Sequence, residues 1–150
     1  MKKKLLAITA ALLLIASTTF ANESKPIPTT IINQLHQEFE SATEVAWKTT
    51  ADFYKASFTA DGQSLEAFFS PDGQLLGTSR KLTVDQLPLA VIKETSKLGS
   101  ANEVTELFEL SSDRGTEYFI TFGSGKEAKT YKSAGTSWNR FTPGKFNDGI

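Results

Sequence analysis

Short runs of alternating polar and apolar residues, separated by turn signals, constrain the fold of this chain more than any other sequence feature. Asp61-Gly62 and Pro71-Asp72-Gly73 divide the first set of runs, which begins at Glu44. A side-chain period of two is typical of strands with one buried face, and Asp-Gly between such runs is a strong hairpin signal. The pattern therefore predicts four antiparallel strands, from Glu44 onward and over 53–59, 64–69 and 74–80.

A different period precedes these strands. Ile31, Leu35 and Phe39 recur at steps of four residues, and Pro28 stands where a first helical turn would begin. Steps of four place side chains on one stripe of an α-helix, and proline at the first turn loses no hydrogen bond. The spacing predicts a helix over 28–41 whose apolar stripe covers one face of the sheet.

The same order of elements then recurs. Thr83 to Gln86 has the spacing of a capping box, with Pro88 delaying the regular helix, and a second stripe runs from Leu87 to Leu98. Alternating runs follow over 104–110, 118–122, 128–132 and 137–141. We therefore predict an α+β fold made of tandem helix-plus-four-strand repeats, 22–82 and 83–150, forming an antiparallel sheet with two helices packed on one face.

The first 21 residues are read as a cleavable export signal. Lys2 to Lys4 form a basic start, Leu5–Ala16 is apolar except for Thr9, and small residues lead to Ala21. That order is typical of a secretory signal peptide, and the apolar run is shorter than the roughly 20 residues of a transmembrane helix. The alternatives are a buried helix or an uncleaved anchor. Cleavage near Ala21 predicts a periplasmic or secreted protein, without a membrane span in the mature chain.

Charge and cysteine content narrow the classes of partner. Cleavage removes three of the 16 basic residues and none of the 17 acidic ones, so the mature chain is mildly acidic. Nucleic acids and anionic membranes attract concentrated lysine and arginine, which argues against both as partners. The chain has no cysteine, so its stability outside the cytoplasm must come from packing.

A search for catalytic or metal-binding patterns returns little. His36 is the only histidine, and with no cysteine a zinc site is improbable. As a general base His36 would need a partner to orient it, and the sequence indicates none, so we interpret it as a surface or boundary residue of the first helix. We expect no enzyme activity, no metal and no cofactor.

Aromatic residues are the more informative feature. If Tyr54, Ala56 and Phe58 face the helices, then Phe53 faces the other way, as Phe119 does in the second half. Rings on an open sheet face suit protein recognition, because they bury a large area at low rotamer cost. The alternatives are that a second layer, a dimer partner or a seam between the repeats covers these rings. The predicted contact residues are Trp47, Phe53, Phe68, Phe119, Tyr131 and Trp138.

Four segments carry a family resemblance. Val-x-Trp-Lys (45–48), Tyr-Lys-Ala-Ser-Phe (54–58), Phe-Phe-x-x-Asp-Gly (68–73) and Leu-Pro (87–88) resemble the PepSY-like, β-lactamase-inhibitor-like (BLIP-like) domains of exported bacterial proteins. The resemblance implies a helix-plus-four-strand unit used twice, residence outside the cytoplasm and no intrinsic catalysis. It also implies protein binding through the sheet, as the namesake inhibitor does.

The leading hypothesis is an exported, non-enzymatic, inhibitor-like module that binds an unidentified periplasmic or extracellular protein through sheet-face aromatics. The alternative is a carrier that holds a small apolar ligand between helices and sheet. A hydrolase built around His36 is a third and weaker interpretation, since no partner group is identified.

Overall fold

The structure, a computed structural model, describes residues 26–142. The predicted signal segment 1–21 lies outside the described residues. The helices are α1 (Thr29–Glu38) and α2 (Leu89–Thr95), and short 3-10 turns cover Val84–Gln86, Ala101–Glu103 and Gly125–Glu127. The strands are β1 (Thr43–Thr49), β2 (Tyr54–Ala60), β3 (Gln63–Phe69), β4 (Leu75–Lys81), β5 (Val104–Ser112), β6 (Gly115–Phe122), β7 (Lys129–Ser133) and β8 (Asn139–Phe141).

The eight strands form one antiparallel sheet in which each strand pairs with its neighbour in the chain, in the order β1 to β8. With two helices, this is the α+β class that the sequence predicts. Strand pairing places Leu65, Arg80, Glu109 and Tyr118 in one row across the sheet. Leu65 packs with the core under α1 and Tyr118 with the core under α2, so both helices lie on the same face.

Helix α1 is held by its apolar stripe. Ile31 and Leu35 are fully buried against a cluster that includes Ala56, Phe58 and Phe69, so β2 turns its even-numbered residues toward the helix. The helix ends at Glu38, three residues earlier than predicted, because Phe39 adopts φ −134° and packs its ring 4.9 Å from that of Phe58. A tertiary contact therefore ends the helix where the periodicity alone would continue it.

Helix α2 begins as its sequence predicts and ends early. The backbone N–H of Thr83 donates to the side-chain oxygen of Gln86 at 2.8 Å in the predicted capping box, and the regular helix starts at Leu89, after Pro88. It ends at Thr95, three residues before the end of the predicted stripe at Leu98. Val91 is fully buried in a second helix-facing cluster with Leu82, Leu87, Leu107, Ile120 and Phe122.

A register shift in β5 corrects one expectation. Strict alternation over the predicted run 104–110 would place Val104, Glu106, Phe108 and Leu110 on one face. Strand β5 shifts its pairing with β6 between Val104 and Glu106, so Val104 packs with the core under α2 whereas Phe108 and Leu110 lie on the opposite face. An inserted residue reverses the side-chain alternation beyond it, which a strict period of two cannot anticipate.

Candidate binding surface

The sheet face opposite the helices, here called the outer face, is the candidate binding surface. Strand pairing assigns to it one row that runs Ala46, Ser57, Glu66, Ser79 and Leu110 from β1 to β5. Within residues 26–142 both helices pack on the other side. The outer face is therefore the side of the sheet on which we expect a partner protein to bind.

Three of the predicted contact residues lie on this face but are buried. Phe53, Phe68 and Phe119 are exposed by 2%, 0% and 1%, and they form one cluster with Leu110, here called the outer cluster. The rings of Phe53 and Phe68 meet edge to face with centroids 5.7 Å apart. Since two members precede residue 82 and two follow it, the outer cluster joins the two halves of the sheet. Of the alternatives that the sequence left open, a seam between the halves fits this packing.

The other three predicted contact residues lie on the helix-facing side, which corrects the expected placement. Trp47 pairs with Ala56 and packs in the cluster under α1, because the register of β1 turns it toward the helix. Tyr131 and Trp138 pack in the cluster under α2, where the indole N–H of Trp138 donates to Thr95 Oγ1 at 2.9 Å. Contact of these six residues with a partner stays a prediction.

Two aromatic residues of the outer face escaped the sequence interpretation. Phe108 stacks on Phe119 with ring centroids 5.1 Å apart, and Phe141 meets Phe119 edge to face at 5.5 Å. Both are only half-buried, so their rings reach solvent at the border of the outer cluster. The signal for Phe108 was present in the alternation of β5, but the register shift was needed to place it.

Beside the outer cluster the face opens into a cavity of about 550 Å³ that spans β1 to β5. The cavity exists because the side chains at this part of the outer face, Ala46, Ser57, Ser64 and Ser79, are small. The neighbouring outer cluster has phenylalanine rings in the corresponding places. The cavity is also lined by Glu44, Lys55, Phe58, Thr59, Leu65, Glu66, Arg80, Lys81, Glu106 and Phe108. Its lining mixes hydroxyls, charges and one half-buried aromatic ring.

An ion pair organises the floor of this cavity. Lys55 Nζ lies 2.5 Å from Glu66 Oε1, with the two side chains 14% and 35% exposed. The Glu66 carboxylate also accepts long hydrogen bonds of 3.4 Å from the hydroxyls of Ser57 and Ser79. A carboxylate that receives three donors is held in one orientation, so the floor is polar but internally satisfied.

A second ion pair closes the helix-facing side of the seam between β4 and β5. Arg80 donates to both oxygens of Glu109, at 2.5 Å and 3.3 Å. The hydrogen bond from Arg80 to Glu109 raises the pKa of Arg80, so the guanidinium stays charged at every physiological pH. The two halves are therefore joined by strand pairing, by the ion pair between Arg80 and Glu109 and by the outer cluster.

The described residues provide little for catalysis. His36 is exposed on α1, away from the cavity lining. Residues 26–142 contain no group of three or more His, Cys, Asp or Glu side chains placed to hold a metal ion. In the same part of the chain no helix has the length and apolar character needed to cross a membrane.

Comparisons with known proteins identify solved structures with this fold. A BLIP-like protein from Bacteroides fragilis NCTC 9343 has a TM-score of 0.66 at 23% identity, over 85% of this chain and 94% of that one. A DUF2874 family protein from Bacteroides uniformis ATCC 8492 has a TM-score of 0.67 at 15% identity, over 78% and 88%. A candidate periplasmic protein from Bacteroides eggerthii DSM 20697 has a TM-score of 0.62 at 18% identity, over 72% and 80%.

No family model matches the chain, and no curated protein sequence matches it. The structural likeness confirms the BLIP-like part of the resemblance at the level of the fold. The PepSY-like part of the resemblance stays a prediction.

Proposed function

We propose that this chain is an exported, non-enzymatic module that binds another protein through the outer face of its sheet. The observation that carries the proposal is the cavity of about 550 Å³ on the face that neither helix covers. Support for the mode of binding comes from the fold, which the chain has in common with a BLIP-like protein. Inhibition of the bound partner protein is part of the proposal.

The predicted contact residues take different parts in this proposal. Phe108 and Phe141 are the rings that reach solvent and touch the partner, while buried Phe53, Phe68 and Phe119 support them from below. A rigid support is useful because contact residues that are already ordered lose little freedom when a partner binds. A contact through Trp47, Tyr131 and Trp138 would require a partner that approaches the helix-facing side.

The carrier hypothesis has less support. A small apolar ligand between the helices and the sheet would need space there, where Ile31, Leu35 and Val91 are 0% exposed and closely packed. The cavity lies on the opposite face and its lining includes the charged side chains of Lys55 and Glu66. Apolar ligands prefer pockets that are predominantly hydrophobic. Protein binding on the outer face therefore agrees better with the geometry.

Export is a separate part of the proposal with its own test. Expression of the full sequence in a Gram-negative host should release a periplasmic form that begins at Asn22, because the small residues before it form a cleavage site. Intact-mass spectrometry of the periplasmic fraction measures this directly. A chain that retains Met1 in the cytoplasmic or membrane fraction would contradict export by cleavage.

The binding surface can be tested with a cavity-filling variant. Ser57→Arg places a long cation in the cavity, and Gln37→Arg places the same side chain on the exposed surface of α1. The mature chain and the Gln37→Arg control should capture the same partner protein from envelope extract. Ser57→Arg should weaken this capture by about tenfold or more, because the arginine fills the contact site and removes part of the binding free energy. Equal capture by Ser57→Arg and Gln37→Arg would contradict binding through the outer face.

We also propose that the two halves are a tandem repeat, with a boundary near residue 82. A matching hydrogen bond supports this: Thr43 Oγ1 donates to the carbonyl of Thr59 at 3.3 Å, and Thr105 Oγ1 donates to that of Thr121 at 3.2 Å. Each bond lies beside a register shift at the start of the first strand of its half. Shared irregularities are less expected by chance than shared regular elements, because the period of a strand repeats in any sheet.

A further inference from the structure

We propose that β1 is a self-association site, through which two copies of this chain form a dimer with their β1 strands paired antiparallel. This goes beyond the proposed function, because the contact is made by the edge of the sheet and leaves the outer face uncovered. The grounds are the unpaired backbone groups of β1, two charged side chains on this strand and the symmetry of antiparallel pairing.

Strand β1 is an edge of the sheet, and in the part of the chain that the structure describes it pairs with β2 alone. The N–H of Thr50 donates to the carbonyl of Phe53 at 3.0 Å, and hydrogen-bonded pairs alternate with non-bonded pairs along an antiparallel ladder. Lys48, two residues earlier, therefore directs its backbone groups to β2, whereas Trp47 and Thr49 direct theirs away from the sheet. The edge thus offers donors and acceptors to another strand.

Two side chains of opposite charge lie on the outer-face side of β1. Lys48 is half-buried, stands directly opposite Lys55 on β2, and takes part in none of the ion pairs found within residues 26–142. Glu44 is exposed, and its carboxylate accepts a hydrogen bond from Thr59 Oγ1 at 3.2 Å. Like charges directly opposite one another destabilise a sheet, so a carboxylate placed beside Lys48 would be favourable.

A twofold axis at Ala46 supplies that carboxylate. In antiparallel pairing about this residue, position 44 of one copy lies opposite position 48 of the other, so Glu44 meets Lys48 twice in each dimer. On the helix-facing side the same register sets Val45 opposite Trp47 of the second copy. An axis at Trp47 would instead set Lys48 opposite Ala46, without an opposite charge. The two charges therefore select one register.

The backbone at Glu44 supports a role for its carboxylate. This residue has a φ of 55°, a left-handed conformation that costs a residue with a side chain more than it costs glycine. Such a conformation at a charged surface residue is a reason to look for a function. A glutamate that forms an interchain ion pair accounts for the side chain at this position.

The features that usually protect an edge strand make this pairing specific. A lysine and a bulge on an edge discourage pairing with other chains, and β1 has Lys48 and a register shift between Thr43 and Ala46. The shift lies at one end of the strand, so Ala46 to Thr49 keep their regular pairing with β2. Another strand would leave Lys48 without an opposite charge, whereas a second β1 always brings Glu44.

The dimer would place both outer faces on the same side of one continuous sheet, because the twofold axis runs perpendicular to the strands and to the sheet. Two copies of the proposed binding surface would then point toward the same partner or surface. A contact between two seven-residue strands is smaller than the roughly 1,200 Å² at which stable interfaces begin, so we expect a dissociation constant on the order of 10–100 µM.

Sedimentation velocity of the mature chain tests the dimer directly. Between about 5 µM and about 500 µM the protein should change from monomer to dimer. Thr49→Pro removes an N–H that points away from β2, so it should raise the dissociation constant by about tenfold or more without breaking the β1–β2 ladder. Thr49→Val is the matched control, because it keeps the N–H and should dimerise like the unchanged chain.

Exchange of the charges tests the register. Glu44→Lys and Lys48→Glu, each alone, should raise the dissociation constant by about tenfold or more, because both create two like-charge contacts in each dimer. An equimolar mixture of these two variants should form a heterodimer, since every position 44 then meets an opposite charge at position 48. Lys93→Glu, on the exposed surface of α2, is the control and should dimerise like the unchanged chain.

A protein that stays monomeric at every concentration would overturn the proposal. So would a dimer that survives Thr49→Pro and both charge reversals, a mixture of the reversed variants that stays monomeric, or a series of oligomers larger than dimers, which indicates head-to-tail pairing. Urea unfolding checks that each variant folds cooperatively; if Thr49→Pro does not, the mixture of charge variants decides alone. Partner capture by the outer face is measured separately, so the proposed function can stand when the dimer fails.

Discussion

Replacing Phe119 by alanine is expected to lower the free energy of unfolding by about 3–5 kcal/mol, the usual cost of truncating a buried aromatic residue. Its ring is 1% exposed and touches the rings of both Phe108 and Phe141. Because the outer cluster also contains Phe53 and Phe68 from the first half, the loss should weaken both halves together. Urea denaturation, followed by circular dichroism and by tryptophan fluorescence, measures the effect.

The two tryptophans report on different halves, which sharpens this test. Trp47 packs in the cluster under α1 and Trp138 in the cluster under α2, so single-tryptophan variants can follow each half separately. Both should show the same lowered midpoint in Phe119→Ala. Leu89→Ala is the control, since Leu89 is 69% exposed and a surface truncation should change stability by less than about 0.5 kcal/mol. A Phe119→Ala protein with unchanged stability would show that the ring is not part of a shared core.

Replacing Gly77 by alanine is expected to cost about 1–3 kcal/mol, the typical penalty for an extra methyl group in a tightly packed site. A Cβ at this position would lie 2.8 Å from the carbonyl oxygen of Ser111 and 3.6 Å from Leu110 Cδ1. The backbone of Ser111 cannot yield as a flexible side chain does, so β4 and β5 must move apart. Thermal or urea unfolding measures the total cost.

Hydrogen exchange shows whether that cost is local to the seam. The backbone N–H of Leu82 donates to the carbonyl of Leu107 at 2.9 Å across the two strands. In Gly77→Ala the exchange of this N–H should accelerate by more than the global loss of stability accounts for. Ser64→Ala, on an exposed position of neighbouring β3, serves as the control and should leave both measurements unchanged. An alanine at 77 without effect would mean that β4 and β5 are not in close contact there.

Much of the architecture could be predicted from local patterns. The steps of four around Ile31 and Leu35 place α1, and the capping box from Thr83 to Gln86 places the start of α2. The alternation in 54–58 separated the two faces of β2, and the structure turns Tyr54, Ala56 and Phe58 toward the helix. Predictions from these features succeed because helix propensity, capping and hydrophobic period are encoded within a few neighbouring residues. Tertiary packing then reinforces these local preferences.

The surface could not be predicted to the same extent. Whether Phe68 is exposed depends on Leu110 and Phe119, which are about 40–50 positions away in the chain and meet it only when the halves join. The face of Trp47 depends on the register of an edge strand with a bulge, and a shift of one residue reverses every side chain beyond it. Local alternation identifies two faces but does not reveal what each face packs against.

The connection of strands strictly in chain order has a consequence for how this protein is made. A polypeptide that is released amino-terminus first can close the β1–β2 and β2–β3 hairpins before β5 has arrived, because each needs only residues already released. During that interval Phe53 and Phe68 lack their later partners and present apolar rings to the surrounding compartment. The time between the emergence of residue 69 and that of residue 119 is therefore when the nascent chain is most open to capture by a chaperone.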